Sequence, residues 1–310
     1  MVLALGVMSA LLAASLIGTG QTIQKYAISN LISAVDTQEH AKTTKSKQKQ
    51  QSKSRVSSPT WLLGIGLTYL GEVFNGLALG QASAAVVTPL NIVSVLVSGV
   101  LGCIFLGETL SRSQRYGYAC IIAGVGLILV VSPQGGNTLG QSPDEILKSL
   151  SSFMFLTGFS SVFLVQTVLI YNALFRRTTI MLLTCICSLF GAIVVIGSKV
   201  VSSLLQTAAT SNKPLSATPD AIPALFIMGI MIVGSIVIQE FFKQEALTRF
   251  SMTKFQPIFF AGFNTAAVLS SVVLFREFST WQGLGGFLCV FAVAISVILA
   301  GSKLIQGAGP

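Results

Sequence analysis

The sequence predicts an all-α, polytopic membrane protein of about nine transmembrane helices. Three observations lead there. Only 9% of the 310 residues are charged while 52% are hydrophobic, and the mean hydropathy is +0.79. A soluble domain carries roughly 25% charged residues, so this chain cannot coat a water-facing surface of its size. The apolar residues also come in unbroken runs of about 20, the length that crosses hydrocarbon as a helix. Barrel strands would be about ten residues long and alternate in polarity. Finally, the cations between the runs are distributed unequally between the two sides. Together these exclude a soluble enzyme, a disordered or collagen-like chain and a disulfide-stapled secreted domain.

The runs fall at residues 1–24, 61–80, 84–106, 113–132, 150–171, 178–205, 221–243, 256–275 and 281–301. The first has no charge ahead of its apolar stretch, and its first cation, Lys25, follows that stretch. A secretory leader carries its basic segment before the apolar core, so this run reads as a retained helix. Residues 34–60 are low-complexity Lys/Gln/Ser/Thr sequence with little to bury, which predicts a disordered basic loop. Two readings of it stand: a solvated loop that fixes topology, and a tether to anionic lipid at about 1 kcal/mol per basic residue. The lone His40 lies in this loop and does not read as a ligand. Residues 1–132 thus make a first half of four helices, 133–149 a non-cytoplasmic linker, and 150–310 a second half of five helices.

Lys and Arg are enriched in cytoplasmic loops. With the N-terminus outside or lumenal and the C-terminus cytosolic, only Lys148, Lys199, Lys213 and Arg276 of the 19 Lys and Arg face away from the cytosol. The net charge of +9 is then a topology signal, and nucleic acid is not an expected partner. Cys103, Cys120, Cys185, Cys187 and Cys289 all fall within spans, without a CxxC pair or zinc spacing, and read as small packing residues. Small residues at four-residue intervals, Ser94, Ser98 and Gly102, and likewise Ala119 and Ala123, read as close helix contacts.

A weak internal repeat organises the chain. Glu72 and Pro89 are 17 residues apart, as are Glu240 and Pro257. Each proline is followed by an apolar run ending in glutamate, Phe105-Leu-Gly-Glu108 and Leu274-Phe-Arg-Glu277, and then by a span with a glycine, Gly117 or Gly286. The loop with Glu108 is assigned to the cytosol and that with Glu277 to the opposite side. The two three-helix units are therefore inverted, an arrangement of secondary transporters that places the site near the midplane. Pro89 and Pro257 should kink their helices and release the carbonyls of Ala85 and Thr253, either to line a cavity or as ordinary structure.

Gly71-Glu-Val-Phe-Asn-Gly76, Ala84-Ala-Val-Val-Thr-Pro-Leu90, Ser94-Val-Leu-Val-Ser98 and Leu106-Gly-Glu108 closely resemble the NIPA family of magnesium transporters, a branch of the drug/metabolite transporter superfamily. Leu16-Ile-Gly18 leading to Gln24-Lys25, Gln239-Glu240 through Pro257, and Phe275-Arg-Glu277-Phe are similar to that family too. The chain departs from the family in having Gln256 before Pro257, where Thr is usual, and in Glu240 to Lys243, where Asn or Tyr is common. The resemblance implies a drug/metabolite-transporter-like fold, Mg²⁺ or another divalent cation as the transported substrate with no resident cofactor, and the plasma membrane or endosomal membranes.

The candidate ion-pathway residues are Glu72, Asn75, Thr88, Gln239 and Glu240, with Glu72 and Asn75 as possible metal ligands and Pro89 and Pro257 as helix kinks. Glu72 is the deepest acid, near the middle of its span, where a charge costs roughly 2.5–3.5 kcal/mol. It should therefore face protein or a water-filled cavity, with Thr68, Asn75 and Gly76 on its helix face. Carboxylate and amide oxygens suit Mg²⁺, a hard cation that keeps much of its water. The alternative for Glu72 is a protonated acid holding helices together. Glu240 has Lys243 and Gln244 three and four residues on, so a local ion pair competes with a site role. Glu108 and Glu277 read as caps or pairs at helix ends. Asn91, Gln256 and Asn264 are further intramembrane oxygen sources. A metabolite carrier and a non-transporting scaffold remain as other readings. No HExxH, GxSxG or P-loop pattern points to an enzyme or an ATP-driven pump.

Overall fold

The computed structural model describes residues 2–38, 58–81, 90–131, 153–176, 178–210, 221–275 and 283–307. Among them every regular element is a helix: α1 (Val2–Gln38), α2 (Pro59–Gln81), α3 (Ile92–Phe105), α4 (Arg112–Val131), α5 (Phe153–Phe175), α6 (Ile180–Thr210), α7 (Ala221–Arg249), α8 (Met252–Phe275) and α9 (Gly283–Gly307). Stretches of α1, α5, α6, α7 and α9 are long and apolar enough to cross a membrane, and α3 is apolar over a shorter length. The others carry interior polar residues: Thr68, Glu72 and Asn75 in α2, Gln114 and Arg115 in α4, Gln256 and Asn264 in α8. This is an integral, multi-pass membrane protein.

Several boundaries move relative to expectation. Helix α1 runs on to Gln38, so residues 34–38 belong to a helix and not to the disordered loop predicted from residue 34. No Gly or Pro interrupts the chain between Gly20 and Pro59, so nothing stops the helix where its apolar face ends. Helix α2 starts at Pro59, whose missing N–H costs nothing in a first turn. Helix α7 likewise continues past residue 243 to Arg249, and α8 begins at Met252 rather than 256. Phe250 and Ser251 alone join them, and Pro257 lies inside α8. The linker at 133–149 lies outside the described residues.

The chain forms two compact units, each built from discontinuous segments. The first comprises Met1–Ile122, Leu247–Pro257 and Ala300–Pro310. Here α1 packs on α2 through glycines: a Cβ on Gly20 would stand 2.6 Å from Thr68 Oγ1, and one on Gly64 2.8 Å from the Gly20 carbonyl. Only glycine permits that approach. On its other side α1 meets α3, where a Cβ on Gly18 would stand 2.6 Å from the Ser94 carbonyl. Ser94, Ser98 and Gly102 are all buried, as their spacing predicts. Helices α4 and α9 meet at Gly117 and Gly301. Ala119 and Ala123, expected to form the close face of α4, are instead exposed. Glycines tolerate closer backbones than alanines, so the seam settles on the neighbouring face.

The second unit comprises Ala123–Ala246 and Ile258–Leu299. Helix α6 is its most enclosed span, 67% buried, whereas α5 and α7 are 6% and 11% buried. Their exposed apolar side chains, such as Phe163, Leu164, Phe226 and Val237, are what a lipid-facing helix requires. A Cβ on Gly191 would stand 2.7 Å from the Phe263 ring, and one on Gly262 2.6 Å from Ser188 Oγ, so α6 and α8 pack closely. Cys185 is exposed and Cys187 buried on α6, the divergence their two-residue spacing predicts.

Candidate functional site

The polar features of the first unit begin at the two-residue corner between α7 and α8. The end of α7 leaves carbonyls without helical partners, and the start of α8 leaves N–H groups. Lys25, from α1, donates to the carbonyls of Leu247 and Phe250, the latter at 2.8 Å. Glu108 accepts from the other side: its carboxylate receives the N–H of Met252 at 2.6 Å and of Thr253 at 2.7 Å. A cation thus sits at a helix C-terminus and an anion at a helix N-terminus, each on the favourable end of the helix dipole. Gly107 makes the second arrangement possible. Its φ of 64° lies in the left-handed region, which reverses the chain after α3 so that Glu108 reaches α8. Glu108 therefore caps a helix, as expected, but the helix belongs to a distant part of the chain.

Pro257 has a matching partner. It cannot bond the carbonyl of Thr253, and that carbonyl instead accepts the hydroxyl of Tyr118 from α4 at 2.8 Å. The released carbonyl is occupied, which supports the structural reading of this proline. Thr88, Pro89, Ala85 and Glu277 lie outside the described residues.

The predicted ion-pathway residues fall into different environments. Glu240 is paired with Lys243 at 2.5 Å and accepts the Gln244 amide at 2.6 Å, the local arrangement that its neighbours suggest. The Gln239 carbonyl accepts from Cys187 Sγ at 3.6 Å. Both belong to the second unit, while Glu72 and Asn75 belong to the first. The Glu72 side chain is exposed on α2. Thr68, one turn before it, is buried and committed, accepting from Gln24 at 2.9 Å and donating to the Gly64 carbonyl at 2.9 Å. Asn75, one turn after it, is half-buried, and its Oδ1 has no hydrogen-bond partner among the described residues. Among the described residues no three His, Cys, Asp or Glu cluster as a preformed metal site would require.

The oxygens that stand out are amides. Among the described residues of the first unit, Gln21 Oε1, Asn75 Oδ1, Asn91 Oδ1 and Gln256 Oε1, together with the Ser302 hydroxyl, are buried without a hydrogen-bond partner. Ala10 and Ala78 form a small apolar cluster with Leu90 packed against it; Asn75 is one turn from Ala78, and Asn91 follows Leu90. These two amides therefore lie near one end of the α1–α2–α3 packing. Sequence reading named Asn75, Asn91 and Gln256 but missed Gln21, Lys25 and Tyr118. A glutamine buried inside an apolar run was the available signal for Gln21; none marked Tyr118, whose partner lies 135 residues away.

Helical spans and close glycine seams define a polytopic membrane protein. A family model described as Magnesium transporter NIPA matches residues 2–306. The chain belongs to this family. It is 25% identical over 261 residues to Probable magnesium transporter NIPA7 of Arabidopsis thaliana, covering 81% of this chain and 77% of that protein. It is 27% identical over 295 residues to NIPA-like protein 2 of Mus musculus, covering 94% and 71%. It is 28% identical over 282 residues to Magnesium transporter NIPA4 of Mus musculus, covering 89% of this chain and 64% of that protein, less than two thirds of its length. No solved structure matches the chain.

Proposed function

We propose that the protein moves Mg²⁺ across a membrane, down its electrochemical gradient, by alternating access between inverted halves. The observation that carries the reading is the uncommitted Asn75 oxygen one turn from Glu72 on a helix of a magnesium-transporter-family chain. Mg²⁺ is bound by oxygen and usually keeps several waters while contacting one or two carboxylates. Amide oxygens accept hydrogen bonds from those waters, and Glu72 supplies charge where it is exposed. A divalent ion gains roughly 4.6 kcal/mol per 100 mV of membrane potential, so an inside-negative membrane suffices to drive uptake. The cation distribution supports a cytosolic C-terminus, and the family supports the plasma membrane or endosomes as locations. A carrier of phosphate-bearing metabolites has less support: Lys25 is committed to helix carbonyls and Lys243 to Glu240.

The test is Mg²⁺ entry into proteoliposomes loaded with a magnesium-sensitive dye. Wild type should give flux above empty vesicles, and Glu72→Gln should reduce it about 10–100-fold. Folded wild type without Mg²⁺ flux would overturn the reading; wild-type flux from Glu72→Gln would remove Glu72 from the path.

A further inference from the structure

Gln21, in the membrane-crossing α1, and Gln256, one turn into α8, are buried polar side chains, only 5% and 3% exposed. Among the described residues, neither side-chain carbonyl oxygen has a hydrogen-bond partner. In hydrocarbon a polar group without a partner costs several kcal/mol, and a chain under no other demand would carry leucine or methionine there. Several polar groups nearby are satisfied: Gln24 bonds Thr68, Thr22 Oγ1 donates to the Gly18 carbonyl, and Ser98 Oγ donates to the Val95 carbonyl; the buried Ser302 hydroxyl of α9 is not.

Packing register brings the two glutamines to a common level. Helices α1 and α3 run parallel, because Ala10 lies by Leu90 and Gly18 by Ser94 and Val97. Gln21, three residues past Gly18, is thus level with Ser98. A Cβ on Gly102 would stand 3.6 Å from Met252 Cβ and 3.7 Å from Thr253 Cγ2, so the start of α8 is level with Gly102. Helix α8 leaves the corner as α3 approaches it. Gln256, one turn into α8, is therefore also level with Ser98. Asn75 and Asn91 lie further along, towards the Ala10 end of α1. Both free oxygens are acceptors, which suits a cation or its bound waters and not an anion.

We propose that Gln21 and Gln256 form a second tier of oxygen contacts for a hydrated divalent cation, between the Asn75–Asn91 level and the Lys25–Glu108 corner. This rests on the transport reading and adds residues to the path. The tier is neutral, so it guides the ion without binding it tightly enough to stop its release.

The experiment measures Mg²⁺ flux in proteoliposomes and thermal unfolding of Gln21→Met and Gln256→Met, which keep size and remove the oxygen. Flux should fall about 10–100-fold while the unfolding temperature stays level or rises, since an unpartnered buried polar group has been removed. Wild-type flux in both variants overturns the proposal, as does loss of flux with a lowered unfolding temperature, the mark of a structural role. Gln21→Glu and Gln256→Glu keep an oxygen and add charge; they should lower the half-saturating Mg²⁺ concentration, and an unchanged value also overturns the proposal. Absence of flux from wild type itself would instead sink the transport reading, so the two failures are distinct.

Discussion

Glu108 shows how much one side chain carries when its partners are backbone groups. It receives two N–H groups from Met252 and Thr253, which are 0% and 1% exposed. Glu108→Ala leaves both without an acceptor, and each unpaired buried donor costs about 1–3 kcal/mol. Unfolding in nanodiscs should show a loss of about 2–4 kcal/mol, with partial recovery in Glu108→Gln. A variant as stable as wild type would mean that water replaces the carboxylate. Tyr118→Phe removes a single neutral hydrogen bond to the Thr253 carbonyl and should cost about 1 kcal/mol by the same measurement. Spacing made Glu108 legible as a cap and Glu240 as half of a local pair. Lys25 and Tyr118 were not legible, because their acceptors lie 222 and 135 residues away in sequence.

At the scale of elements, the glycines separate into two kinds that sequence does not distinguish. Gly20 of α1 has no room for a methyl group: its Cβ would stand 2.6 Å from Thr68 Oγ1 and 2.7 Å from the Gly64 carbonyl. Gly66 of α2 has nothing within 4 Å. Gly20→Ala must push α1 and α2 apart and disturb the Gln24–Thr68 bond, at about 1–3 kcal/mol. Gly66→Ala should instead stabilise by about 0.5–1 kcal/mol through helix propensity. Thermal unfolding of the pair tests the seam, and equal effects would refute it. The same reasoning explains why α4 turns Gly117 and not Ala119 inward. Helix existence was readable from apolar length, whereas helix ends were not: α1, α7 and α8 overrun the apolar limits because no Gly or Pro stops the helix where the apolar run ends.

For the whole molecule, orientation follows from charge. Translocating a Lys-rich segment is costly, so residues 42–53 should remain cytosolic and residues 206–220 should lie on the other side. A glycosylation acceptor engineered into 206–220 should be modified in microsomes, and one placed in 42–53 should not; the reverse pattern would invert the assigned topology. The inverted repeat read from Glu72–Pro89 and Glu240–Pro257 makes the two copies look equivalent. Their described members are not: Asn75, beside Glu72, keeps an uncommitted oxygen, whereas Glu240 is neutralised by Lys243.

By itself the sequence determined the membrane class, the number and order of helices, the resemblance to its family and the expected orientation. These depend on composition, run length and local spacing, all of which are written along the chain. Tertiary structure decided which polar groups are committed and which are left over. Whether Thr68, Gln21 or Gln256 has a partner depends on which distant helix packs against it, and a run of apolar residues predicts a helix without saying which neighbour its polar members meet.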